Sequence, residues 1–114
     1  MEVGLKEEER VNAMKMLTIV CREKFDDYVL LLFHDLGIKG YTIISGARGS
    51  GETGAVSGKN EWTDRNTLFM VALDDPQMAT LVTAMKDVHL KLIGEESGQV
   101  VPLKMFLQPC EVVL

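Results

Sequence analysis

The residues best equipped for chemistry in this chain lie between Gly46 and Asn66, in GARGSGETGAVSGKNEWTDRN. Five of the ten glycines fall there, with the single tryptophan, Trp62, and the cations Arg48, Lys59 and Arg65. Successive glycines let backbone N–H groups converge on an anion, and cationic side chains on the same stretch neutralise its charge. Such a set supports recognition of a phosphate- or carboxylate-bearing ligand; a merely flexible loop is the plainer alternative. Two better-known phosphate motifs fail on their surroundings. Gly49-Ser-Gly51-Glu-Thr-Gly54 spells GxGxxG, but the dinucleotide fingerprint needs a helix opening at its last glycine, and residues 55–60 carry no helical stripe. The run from Gly54 to Asn60 is one residue short of a P-loop and has Asn60 where a hydroxyl must hold magnesium.

No other group reads as a reactive set. His34 and His89 each lie on an expected helix with no second ligand four residues away, so both read as ordinary solvent-edge or core histidines. Cys21 and Cys110 stand far apart in apolar runs, without CxxC spacing, and read as buried free thiols. No GxSxG elbow offers a serine nucleophile. The seven methionines read as core filler, and Trp62 as a clamp holding its loop against the body, with stacking on a ligand base as the alternative.

A loop this long inside a short chain needs both its ends held. Tyr41 to Ser45 and Thr67 to Leu73 are β-rich and flank it as strands. Upstream, Met16 to Cys21 is short and apolar enough for a central strand covered on both faces. Arg22 to Leu36 follows as a helix, with Phe25, Tyr28, Val29, Leu32 and Leu36 at helical spacing and Gly37 as its left-handed cap. Leu30, Leu31 and Phe33 widen its apolar face. Asp74-Asp75-Pro76 starts a second helix, an Asp cap followed by proline at the first helical position, whose stripe is Met78, Leu81, Val82, Met85, Val88 and Leu92; Gly94 closes it. Val100 to Leu114 is the last strand region, with Pro102 and Pro109 confined to ends, edges or bulges. The order β-α-β-β-α-β is the α+β, ferredoxin-like arrangement, here with a long insertion between strands 2 and 3. Its four strands form one antiparallel sheet with both helices on one face. Strands that read apolar on both faces leave a bare sheet surface, which self-association would cover.

At 114 residues, 46% hydrophobic and 25% charged, the chain is sized for one globular domain. Residues 1–13 read as a frayed or helical leader and residues 14–114 as the domain. A net charge of -5 with scattered Lys and Arg excludes an electrostatic grip on nucleic acid. The acidic start is no signal peptide, and no run nears the roughly 20 apolar residues of a membrane span, so a cytoplasmic location is expected.

From Met14 to Val113 the sequence resembles the PII signalling family and its PII-like relatives. Arg22-Glu-Lys-Phe-Asp-Asp27 resembles the family's "KPFKLDD" passage, and Leu36-Gly-Ile-Lys-Gly-Tyr-Thr42 its "IGVQGLT". Arg48-Gly-Ser-Gly51 is similar to "KGFG" at the opening of the family's T-loop, and Phe106-Leu-Gln-Pro-Cys-Glu111-Val to the closing "FVSPVEQV". The resemblance implies a homotrimer with effector sites in clefts between subunits, where the T-loop of one subunit meets the B-loop region. It implies an adenine nucleotide (ATP, ADP or AMP) or another small anion as effector, and docking of the loop on a target enzyme or membrane transporter. It carries effector-binding roles to Arg48, Gly49, Gly51, Arg65 and Lys104.

Departures from the family's pattern narrow the effector. Val101 and Leu103, with Pro102 between them, replace the B-loop glycines, and the T-loop lacks the tyrosine that some members carry as a uridylylation site. The sequence ends at Leu114, before the family's two C-terminal arginines. AMP or ADP, a cyclic dinucleotide or bicarbonate fits these departures better than ATP with 2-oxoglutarate. The expected function is a non-catalytic, PII-like regulator. The alternatives on the same fold are a CutA-like metal-tolerance protein, using His34, His89, Cys21 or Cys110, and a small ferredoxin-like enzyme.

Overall fold

A computed structural model describes residues 14–49, 65–95 and 101–114. β1 (Met14–Arg22) runs into a single 3-10 turn at Glu23–Phe25 and then α1 (Asp26–Asp35). β2 (Thr42–Ala47), β3 (Asn66–Asp74), α2 (Asp75–Glu95) and β4 (Leu103–Cys110) complete the chain. The four strands form one antiparallel sheet in the order β2-β3-β1-β4. This is the ferredoxin-like order expected from the sequence.

Period-two alternation assigns the two faces of the sheet. Leu17, Ile19 and Cys21 of β1 are buried, as are their partners Val71, Phe69 and Thr67 on β3. Above them lie Val29 and Phe33 of α1 and Met78, Leu81, Met85 and Leu92 of α2. Phe33 anchors this layer, edge-on to Phe69 at 5.8 Å and tilted against Tyr41 at 4.9 Å between ring centroids. Such aromatic pairs add about 1 kcal/mol each beyond their buried area.

The helix ends follow their local chemistry. At the close of α1, Gly37 sits at φ 72. Its N–H donates to the His34 carbonyl at 3.1 Å, and the Ile38 N–H donates to the Phe33 carbonyl at 2.8 Å. This is a Schellman motif whose two hydrophobic members, Ile38 and Phe33, are both buried. At the start of α2 the Asp74 carboxylate accepts the Gln77 N–H at 3.0 Å, so an Asp caps the helix as expected but one residue earlier, and Pro76 occupies the second helical position and not the first. Three further details differ from the sequence reading. A 3-10 turn precedes α1 and shifts its buried face to Phe25, Val29 and Phe33, leaving Tyr28 and Leu31 exposed. α2 continues through Gly94 to Glu95, and Cys110 is half-buried where a buried thiol was expected.

Among the described residues, no helix lies over the other face of the sheet. Register places Met16, Thr18 and Val20 of β1 beside Ala72, Met70 and Leu68 of β3. Ile44 of β2 and Phe106 of β4 extend this surface to both edges, 45% and 55% exposed.

Among the described residues, two buried side-chain oxygens make no hydrogen bond, Asp26 Oδ1 and Thr67 Oγ1. Thr67 is fully buried and its Oγ1 makes no hydrogen bond. Leaving a hydroxyl unsatisfied costs on the order of 1–3 kcal/mol, and an apolar replacement of the same shape removes that cost. Thr67→Val is therefore expected to stabilise the protein by about 1 kcal/mol, read as a higher denaturant midpoint at unchanged slope. A lower midpoint would mean that the hydroxyl is satisfied in solution.

Candidate functional site

The two ends of the glycine-rich stretch converge at one corner of the sheet, and a β-bulge brings them there. Ile44 pairs with Leu68 and Ala47 with Asn66, so Ser45 and Gly46 together face the single residue Thr67. Gly46 takes the left-handed conformation, φ 73, that such a bulge asks of glycine. The extra residue turns the end of β2 and frees the Gly46 N–H from the ladder. That N–H donates to the Glu23 carboxylate at 3.0 Å, while the Glu23 N–H donates to the Arg65 carbonyl at 3.0 Å. One residue of the 3-10 turn thus holds both roots of the 46–66 stretch.

Arg48 and Gly49 follow directly on β2, and Arg65 directly precedes β3; all three are exposed. The Ala47–Asn66 pairing brings Arg48 and Arg65 to the same rim. Gly51, Lys59 and Trp62 lie outside the described residues. Lys104 stands apart. It is exposed on β4, opposite Val20, and that register gives it the uncovered face of the sheet. From β3 to β4 there are two strand spacings, roughly 10 Å, and from β2 to β4 three. The fold brings Arg48, Gly49 and Arg65 together and sets Lys104 at the same end of the sheet but on its far edge. No ion pair joins Arg48, Arg65 or Lys104 to another described residue.

Glu23 is the residue that reading along the sequence missed. It sits in a charged turn where a carboxylate looks merely solvated, and its partner is 23 positions away. The only signal was Gly46 itself, since an isolated glycine at a strand end suggests a bulge with a freed N–H.

The remaining titratable groups are dispersed. His34 is exposed beside Asp35, with Nδ1 3.7 Å from the carboxylate. His89 is half-buried and its Nε2 lies 3.1 Å from the Val101 carbonyl, tying α2 to the segment that enters β4. Tyr28 donates to the Glu95 carboxylate at 2.9 Å and so fastens α1 to the end of α2. The thiol of Cys21 is pushed up to about 12, first by burial and then by the charge of Asp26, and is therefore inert as a nucleophile at neutral pH. Among the described residues no three His, Cys, Asp or Glu side chains gather as metal ligands. Among them, too, no helix is long and apolar enough to cross a membrane.

A four-stranded antiparallel sheet carrying two helices on one face, with a long connection rooted at one corner, defines a ferredoxin-like protein of the PII-like type. The sequence model of the nitrogen regulatory protein P-II family matches residues 14–113, and the chain belongs to that family. No curated protein matches the sequence. Among solved structures, the chain is similar to CPII, a nitrogen regulatory PII-like protein from Thiomonas intermedia, bound to ADP, AMP and bicarbonate. That match has 15% identity and a TM-score of 0.66, and covers 90% of this chain and 94% of the other. It is also similar to a PII-like signaling protein from Thermus thermophilus, at 22% identity and a TM-score of 0.56, covering 89% of each chain. At these identities the structural likeness speaks for the fold.

Proposed function

We propose that this PII-like protein is a homotrimeric sensor that binds a small anionic effector at the clefts between its subunits. The effector is ADP, AMP or a related adenine nucleotide, or a small anion such as bicarbonate. Binding is coupled to the 46–66 stretch, which docks on a target enzyme or membrane transporter. The observation that carries this reading is the pair of arginines, Arg48 and Arg65, brought to one rim at the roots of a glycine-rich segment with no ion pair to another described residue. Charge-assisted hydrogen bonds from such groups contribute about 1.5–3 kcal/mol each, so three contacts at the upper end approach the roughly 8 kcal/mol of a micromolar complex. Gly49 and Gly51 would let the backbone approach the anion, and Lys104 of a neighbouring subunit would close the far side of the cleft. The ADP, AMP and bicarbonate bound to CPII support the choice of ligands. The uncovered apolar sheet face supports the trimer, because Met16, Val20, Leu68, Met70, Ile44 and Phe106 form a surface that association would remove from water.

Isothermal calorimetry with ADP, AMP, ATP, a cyclic dinucleotide and bicarbonate tests the reading. ADP or AMP is expected to bind at one site per subunit, with affinity falling as salt rises. Absence of heat from all five ligands would leave no effector to sense.

A further inference from the structure

The Glu23 carboxylate is an anion that the protein itself supplies to the rim carrying Arg48 and Arg65. It occupies the Gly46 N–H, the backbone donor that the bulge sets free, two residues before Arg48. The same residue's N–H holds the Arg65 carbonyl, so the carboxylate is fixed by its own backbone between the two arginine-bearing roots. A freed N–H on the rim of two arginines that have no ion pair to another described residue is the local arrangement that would receive an external carboxylate or phosphate oxygen. An incoming anion meets there a carboxylate already bound to one donor and repelling it at short range. We propose that Glu23 is a built-in competitor for the effector's anionic group, setting the concentration at which the rim is occupied. This rests on the effector reading above and specifies its regulation. The effector binds by displacing the Glu23 carboxylate from Gly46, and the neutral part of a ligand is indifferent to it.

The sign of the effect separates competition from support. A residue that merely props the root open would weaken binding when altered; a competitor strengthens it. Glu23 is exposed, so substitutions there leave the core untouched. Glu23→Gln retains an oxygen to accept the Gly46 N–H and loses the charge. Relief of one unit charge several ångströms away, largely through water, corresponds to about threefold tighter binding.

The test uses calorimetry with ADP, bicarbonate and uncharged adenosine on the wild-type protein and Glu23→Gln. The expected result is about threefold tighter bicarbonate binding, a larger gain for ADP and no change for adenosine, with the gains fading in high salt. Amide exchange at Gly46, followed by NMR without ligand, is expected to accelerate roughly tenfold or more in Glu23→Ala and little in Glu23→Gln. A wild-type protein that binds none of the ligands sinks the effector reading and this inference with it. A wild-type protein that binds, with Glu23→Gln no tighter for either anion, overturns the competition alone, as does unchanged Gly46 exchange in Glu23→Ala.

Discussion

Met70→Asp is expected to abolish the proposed self-association and leave folded monomers. Met70 lies in the middle of β3 on the uncovered face, between Thr18 of β1 and Thr42 of β2 and flanked along its own strand by Leu68 and Ala72. In an isolated subunit this position is half-buried, and a carboxylate there keeps contact with water. In a trimer whose sheets face inward, three such carboxylates would be desolvated around one axis without cationic partners. The penalty for an unpaired charge in that setting is several kcal/mol per ion, and mutual repulsion adds to it. Loss of self-association should therefore exceed any effect on the fold. Sedimentation equilibrium of wild-type and Met70→Asp proteins reads the masses directly, and far-ultraviolet circular dichroism checks the fold. A wild-type protein that sediments as a monomer, or a Met70→Asp protein that keeps the wild-type mass, would show that this face is covered by something other than its own copies.

That prediction depends on a feature visible along the chain before any folding. Met16-Leu-Thr-Ile-Val-Cys21 is apolar at odd and even positions alike, and so is Thr67 to Leu73. Alternation alone would have announced a sheet with one wet face; its absence announces a second contact. The helices were equally legible, because Met78, Leu81, Met85 and Leu92 repeat at helical steps and remain the buried stripe of α2. α1 was harder. The 3-10 turn at Glu23–Phe25 slips the phase, so Phe33 and not Tyr28 enters the core. A propensity reading carries no signal for such a slip, which tertiary packing decides. The candidate site was legible only as a set of residue types. Arg48, Gly49 and Arg65 could be named from local composition, and the pairing of β2 with β3 places them on one rim. The ties made by Glu23 to Gly46 and Arg65, and the separation of Lys104 from that rim, arise from strand order, which residues far apart in the chain settle together.

The separation of Lys104 leads to the second large effect, and to a test of where the effector site is built. Arg65 and Lys104 stand on strands separated by β1, with Lys104 on the face that the trimer would cover and Arg65 at the rim of the 46–66 stretch. If each cleft joins the Arg65 side of one subunit to the Lys104 side of the next, Arg65→Glu and Lys104→Glu should each abolish detectable ADP binding. Either change removes an attraction and adds a repulsion, a loss of roughly a hundredfold or more. Co-refolding the two variants together should then restore part of what each lacks. In a closed ring of three containing both kinds of subunit, one cleft has its intact Arg65 facing an intact Lys104. Binding at wild-type affinity should therefore reappear, at no more than one site per mixed trimer. A site contained within one subunit predicts no recovery at any mixing ratio, because every subunit carries a lesion. Recovery at reduced stoichiometry would place the anion between subunits. Its absence, with mixed trimers confirmed by mass spectrometry, would place Arg65 and Lys104 in a site within one subunit, whereas a Lys104→Glu protein that binds ADP at wild-type affinity would return the site to the rim formed by Arg48, Gly49 and Arg65 and leave Lys104 without a part in it.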